Sequence, residues 1–264
     1  MKLENFQTIT SCNNNTIKAV CALRQNKIRN QEQAFIIEGS KLFYEGFLYN
    51  IPYSHLFFTE KWLTRANDKQ LKAFEQCNTI RILVSEPVME KLSGQKNSEE
   101  ILCRALIQKP DMILPRSIVF LENVQDPGNV GTIIRTADAA GYEGIITTPG
   151  TADVHNEKVL RASMGSVFHL PVYEHVDAVE TILNLKDKGY TIIGSALQGS
   201  EEAFQNIPKD IKPVLILGNE SKGMSEALQK ACDLLVRIPM QGKAESLNVS
   251  VAAGLLMYQI SGLL

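Results

Sequence analysis

Nowhere is the chain apolar for the ~20 consecutive residues that a membrane-spanning helix needs. Its longest apolar stretch, Val249 to Leu264, is shorter than that and is interrupted by Gln259 and Ser261, which suits a buried terminal helix. The amino terminus, MKLENFQTIT, lacks the apolar central run of a secretory signal. Cysteine pairing is missing as well. Cys12, Cys21, Cys77, Cys103 and Cys232 are odd in number, form no C-x-x-C pair and have no histidine at ligand spacing. Neither a disulfide framework nor a metal site is expected, and reduced thiols point to the cytoplasm. Strong charge is absent too, since the net value is only −2 and does not mark a basic nucleic-acid binder. Two phosphate-binding signatures fail: the Walker spacing breaks because Met224 follows Gly223, and G-x-G-x-x-G does not occur. ATP hydrolysis and NAD chemistry lose support.

What the chain does have is an ordinary globular core fraction, 44% apolar over 264 residues, enough for one large domain or two modest ones. The segment IQKPDMILPR, residues 107–116, carries two prolines and no clear period, so a linker is placed there between domains over 1–106 and 117–264. Upstream, Ile17–Asn26 and Ser40–Tyr49 read as helices, and Ala34–Glu38, Leu56–Thr59 and Ile80–Val84 as strands, giving a small α/β domain. Downstream, short apolar strands at Ile118–Leu121, Ile145–Thr148, Ile192–Ser195, Val214–Leu217 and Leu235–Ile238 alternate with helical stretches. Those helices fall at Val130–Ala140, Asn156–Met164, Val176–Lys188, Ser225–Ala231 and Ser246–Leu263. Such strands suit a parallel sheet covered on both faces, whose ligands bind at the carboxyl ends of the strands.

Three loops at such ends are unusual. In the first, Pro127, Gly128 and Gly131 shape a turn, and Asn129 and Arg135 lie at the start of and within the following helix; taken alone, they read first as a helix cap and a surface cation. In the second, Gly218 to Gly223, Glu220 follows an apolar strand directly, where a carboxylate also complements a helix dipole. The third runs from Ile238 through Glu245-Ser246-Leu247-Asn248 into the apolar terminal helix, which Ser246 or Asn248 can cap. That helix puts Val249, Ala252, Ala253 and Leu256 on one side, and its small residues fit either a core or a dimer interface. Cations are concentrated at the amino end, where Lys2, Lys18, Arg24, Lys27 and Arg29 face Glu4 alone before Asn30. That surplus reads as a phosphate-binding surface or as a solvated helix face.

Together the loops resemble the three motifs of the SpoU, or TrmH-like, branch of the SPOUT methyltransferases: N-x-G-x-x-x-R at Asn129–Arg135, G-N-E-x-x-G at Gly218–Gly223, and I-P-M-x-G-x-x-x-S-L-N at Ile238–Asn248. The first half is similar, more loosely, to the ribosomal-protein-like module often fused to this family, through Ile17-Lys18, Lys27-Ile28-Arg29 and Phe35–Gly39. The resemblance implies a parallel-sheet domain ending in a trefoil knot, and S-adenosylmethionine held by Gly218, Ile238 and Leu247 with Ala196 beside them. It also implies a homodimer and methyl transfer to a ribose 2′-hydroxyl of RNA, ribosomal RNA being favoured by the fused module. Arg135 would lie nearest the chemistry, oriented by Asn129, with Glu220 supporting the site and Ser246 and Asn248 positioning loop and substrate. Lys18, Arg24, Lys27, Arg29, Arg161 and Ser163 are the expected RNA contacts.

Other readings stay open at this point. A transfer-RNA 2′-O-methyltransferase would share every motif. A non-enzymatic RNA-binding ribosome-assembly factor would keep the fold, although intact Asn129, Arg135, Glu220, Ser246 and Asn248 argue against it. A cysteine-dependent base methyltransferase needs a thiol in the pocket, and none of the three loops contains one.

Overall fold

The computed structural model describes residues 6–95, 98–110 and 115–264. Lys2 and Glu4 of the amino-terminal charge count, and residues 111–114 of the expected linker, lie outside them. The chain divides into two compact units, one ending at Gln108 and including His155–Arg161, the other formed by Lys109–Val154 and Ala162–Leu264.

In the first unit, strands β1 (Gln7–Ile9), β2 (Ala34–Glu38), β3 (Tyr53–Phe58), β4 (Ile80–Val84) and β5 (Ile101–Leu106) form a mixed sheet in the order β1-β4-β3-β5-β2. The helices are α1 (Asn15–Ala22), α2 (Asn26–Glu32), α3 (Ser40–Leu48), α4 (Glu60–Arg65), α5 (Asp68–Gln76) and α6 (Glu86–Ser93). One core joins Ile17, Val20 and Leu23 to Ile36, Phe57, Ile82 and Leu102 of the sheet and to Val88, Met89 and Leu92 of α6. Aromatic rings fill a second, with Phe58 and Trp62 both in contact with Phe74 at centroid distances of 4.9 and 5.1 Å. The single helix expected over Ile17–Asn26 is broken in two. Arg29 closes the corner, its buried guanidinium donating to the carbonyls of Leu23 at 2.9 Å and Arg24 at 2.8 Å. Those two carbonyls, released where α1 ends, are satisfied by a charged donor that a solvated helix face would have sent to water.

The second unit holds β6 (Ile118–Leu121), β7 (Gly144–Thr147), β8 (Val172–Tyr173), β9 (Thr191–Ser200), β10 (Pro213–Leu217) and β11 (Leu234–Val236). Every pairing is parallel, and the order is β11-β9-β10-β6-β7-β8. The remaining helices are α7 (Pro127–Ala139), α8 (Glu157–Ser163, most of it in the segment that belongs to the first unit), α9 (Ala178–Asp187), α10 (Glu201–Gln205), α11 (Glu226–Ala231) and α12 (Val249–Ile260). On one face, Ile118, Phe120, Ile192, Val214 and Ile216 pack with Ile182 and Leu185 of α9 and Leu228 of α11. Residues of opposite parity, Val119, Leu121, Leu215 and Leu217, are buried as fully. There α12 lies along β10 and against α7. Burial on both faces explains why these strands are continuous apolar runs.

The terminal helix is shorter than expected, because Asn248 caps it by accepting from the Ser250 N–H at 2.9 Å. Ala253, read from the sequence as a position that could face a partner, is fully buried inside the chain; the outward residues are Val251, 51% exposed, and Leu255, 37% exposed. Among the described residues no helix is long and apolar enough to cross a membrane.

The chain leaves β6 toward β7 on one side and leaves β10 toward β11 on the other. The crevice between the carboxyl ends of β6 and β10 is therefore the point where the winding reverses, the place where open parallel sheets bind ligands.

Candidate active site

Two chain segments leave that crevice. After β6, Asp126 caps α7 by accepting from the Asn129 N–H at 2.8 Å, which turns the N–H groups of Gln125 and Asp126 toward β10. After β10, Glu220 meets them: Oε2 accepts from Gln125 N at 3.1 Å, and Oε1 from Asp126 N at 3.0 Å and from Asn129 Nδ2 at 3.1 Å. The chain of bonds continues into the third segment, where Asn248 Nδ2 donates to Asn129 Oδ1 at 3.0 Å while Asn248 Oδ1 caps α12. Each amide has one workable orientation. A carboxylate accepts only, so Asn129 must offer it the NH₂ group, and its oxygen is then left for Asn248. All three loops singled out in the sequence thus meet in one hydrogen-bonded line.

Glu220 is largely exposed, and its desolvation would raise its pKa. The N–H groups of Asp126, Glu220 itself and Gln125, with the Asn129 amide, outweigh this and hold the carboxyl below its ordinary 4.5. It is a permanent anion near neutral pH, occupied on both oxygens.

The turn carrying Glu220 is set by its glycines. A Cβ on Gly218 would lie 2.2 Å from the Met224 nitrogen and 2.3 Å from the Gly223 carbon, and Gly223 has φ +68°. Asn219 and Gly223 exchange backbone hydrogen bonds of 3.0 and 2.9 Å, and Asn219 Oδ1 accepts from Ser221 N and Lys222 N at 3.0 Å each. The G-N-E-x-x-G spacing therefore has a steric basis.

Beside the turn is a cavity of about 340 Å³ whose wall includes Ala196, Gly218, Ile238 and Leu247, the four residues expected to hold a cofactor. Its size falls in the ~300–1,000 Å³ range of small-molecule sites. Leu217 and Met240 give it apolar surface, and Asn219, Glu220 and Ser246 give it polar groups. That combination fits a ligand with flat apolar and charged parts such as S-adenosylmethionine. Leu197, Gln229 and Arg237 also line it. Sequence reading missed them: Arg237 directly follows β11, but Leu197 lies within β9 and Gln229 within α11, where no local pattern marks them. Asn129, Arg135 and Asn248 do not line the cavity. Arg135 is exposed on α7, and among the described residues its guanidinium has no hydrogen bond or ion pair. Burial pushes the Cys232 thiol up to about 12, so the cysteine nearest this region in sequence stays protonated.

Of the expected RNA contacts, Lys18 and Lys27 are exposed. Arg24 donates to the Leu92 carbonyl and pairs with Glu157 at 3.2 Å, and Arg161 pairs with Glu157 at 3.4 Å. Arg29 is the internal brace described above, and Ser163 is fully buried.

The SpoU rRNA Methylase family matches residues 116–258, and an MRM3-like substrate binding domain matches residues 14–103. The chain is 34% identical over 257 residues, 97% of its own length and 100% of the relative's, to the 23S rRNA (guanosine(2553)-2′-O)-methyltransferase RlmP of Bacillus subtilis (strain 168). Among solved structures, the AdoMet-bound rRNA methyltransferase from Sinorhizobium meliloti superposes with a TM-score of 0.87 at 28% identity, covering 98% of each chain. The SpoU methyltransferase AviRb from Streptomyces viridochromogenes, in complex with AdoMet, shares the fold with a TM-score of 0.84 at 24% identity, covering 95% of this chain and 98% of that one.

Because the folded-state pKa of Glu220 is depressed, its contribution to stability is fully present above 4.5 and is lost as pH falls through the lower folded value. Urea unfolding followed from about pH 7 down to about pH 3 is expected to give a shallower acid loss in Glu220→Gln than in the wild type. Identical acid slopes would remove the clamp from the description.

Proposed function

Since this chain belongs to the SpoU rRNA methylase family, we propose that it transfers the methyl group of S-adenosylmethionine to a ribose 2′-hydroxyl of RNA, and of ribosomal RNA in particular. The observation that carries this reading is the joining of three sequence-distant loops through Glu220, Asn129 and Asn248 beside a cavity of suitable size and chemistry. The choice of ribosomal RNA rests on the full-length similarity to an enzyme named for 23S rRNA and on the match to a substrate binding domain.

Ala196, Gly218, Ile238 and Leu247, which line the cavity, would hold the cofactor, and it would supply a methyl group made electrophilic by a sulfonium. When bound, it would give that methyl to the ribose oxygen, the C–S bond breaking to leave S-adenosylhomocysteine as the hydroxyl proton is lost. Alignment is the largest service the protein can give such a step. Glu220, with both oxygens already accepting, is a fixed anchor and not the proton acceptor. Arg135, with a guanidinium pKa above ~12, is a poor base but a good grip for a phosphate. It holds the nucleotide so that the ribose meets the methyl, and the proton leaves to that phosphate or to water. Asn129 sets the entry of α7, which carries Arg135, while Ser246 and Asn248 hold the third loop against the cavity.

In this reading residues 1–106 bind RNA, with Lys18 and Lys27 on phosphates, residues 107–116 link, and residues 117–264 catalyse, with the knot formed by the second and third motif loops. The enzyme works in the cytoplasm as a homodimer. Val251 and Leu255, one turn apart on α12, with Leu263 and Leu264 beyond it, leave an apolar strip that a second copy covers.

Arg135→Ala is expected to lower methyl transfer by at least about a hundredfold while cofactor affinity by calorimetry stays within about threefold. Near-normal turnover removes Arg135 from the mechanism. For assembly, the wild type is expected to sediment as a dimer of 29.3 kDa chains and Leu255→Glu as a monomer of low activity. A fully active wild-type monomer refutes the dimer.

A further inference from the structure

The bonds that hold Glu220 are themselves held, and one residue outside the three motif spacings does most of the holding. We propose that Asn123 is a positioning residue for methyl transfer: it fixes the turn that presents Glu220 to the first loop. The inference rests on the methyltransferase reading of this site.

Asn123 follows β6 and is left-handed, with φ +54°, a conformation that asparagine tolerates and β-branched residues do not. In that conformation its groups reach three segments. Its N–H donates to Thr148 Oγ1, after β7, at 3.0 Å. Its side-chain oxygen accepts from Gln125 Nε2 at 3.1 Å and lies over Gly150, where a Cβ would approach it to 2.4 Å. Its carbonyl accepts from Asn219 Nδ2, after β10, at 2.8 Å. That last bond orients the Asn219 amide so that its oxygen faces Ser221 N and Lys222 N, which is what shapes the turn under Glu220. Asn123 therefore acts on both sides of the clamp. The reversal at 123 aims the Gln125 and Asp126 N–H groups, and its carbonyl aims the loop carrying the carboxylate. Next to it, Glu122 Oε2 accepts from Ser225 N at 2.8 Å and ties down the far end of the same loop.

The test uses the full-length protein, radiolabelled S-adenosylmethionine and deproteinised ribosomal RNA from cells lacking the gene. Asn123→Val is expected to lower kcat about tenfold or more, with cofactor Kd by calorimetry changed less than about threefold. Asn123→Gly keeps the left-handed backbone and is expected to retain kcat within about threefold. Equal losses in the two variants, or a loss in Asn123→Val confined to Kd or KM, overturn the proposal. Should the valine variant fail to fold, Thr148→Val removes the acceptor for the Asn123 N–H at nearly constant volume. It is expected to lower kcat about fivefold, and Thr148→Ser, which keeps the oxygen, to restore it; equal kcat in those two overturns the proposal as well. A wild-type chain that binds no S-adenosylmethionine fails the reading of the cavity itself, and that result is seen before any variant is compared.

Discussion

The carboxylate of Glu220 receives the N–H groups of Gln125 and Asp126 and the amide of Asn129, and the second unit depends on this contact for its working end. It joins the loops after β6 and β10 across the crevice where the winding of the sheet reverses. Charge is the right means: a charge-assisted hydrogen bond is roughly twice as strong as a neutral one, and one carboxylate can serve several donors at once. Asn129 relays the constraint to Asn248, and Asn248 begins α12. One anion thus sets the positions of a turn, two helix starts and a cavity wall.

The same contact decides how labour is divided in the reaction. A carboxylate bonded on both oxygens, with its pKa held low, is a poor proton acceptor, so in the proposed reading Glu220 serves by holding position. Arg135 is exposed on the helix whose start is fixed by Asp126 and Asn129, and in the proposed reading it is left for the incoming RNA. The cavity walls come from residues that the clamp holds in place and from the ends of β9 and β11. Preorganisation of this kind suits an in-line displacement, in which the gain comes from alignment more than from acid or base strength.

The fold was readable where burial imposes an unbroken pattern. Ile118–Leu121 is an unbroken apolar run and Ala34–Glu38 and Ile80–Val84 are mostly apolar, and each forms a strand over those same residues. It was not readable where tertiary contacts decide. Strand β5 carries Arg104, whose partners Glu32 and Ser54 are distant in sequence. Strand β1 has three residues and is defined only by its pairing with β4. The break between α1 and α2 follows from a buried arginine that by composition resembled a surface cation, and Ala253 turns inward because α12 packs on α7. In the site, the motif spacings made Asn129, Glu220 and Asn248 visible, and the cavity walls at Ala196, Gly218, Ile238 and Leu247 followed from family resemblance. Asn123 was invisible, since its role depends on a backbone conformation and on a partner almost a hundred residues away.

The claim on which everything else rests is ribose methylation of ribosomal RNA. It is tested most directly by mapping 2′-O-methylated nucleotides across ribosomal and transfer RNA in cells with and without the gene. The expected result is the loss of a ribosomal RNA methylation in the deletion strain, restored by the wild-type gene and not by Arg135→Ala. Identical maps, or a loss confined to transfer RNA, would contradict it.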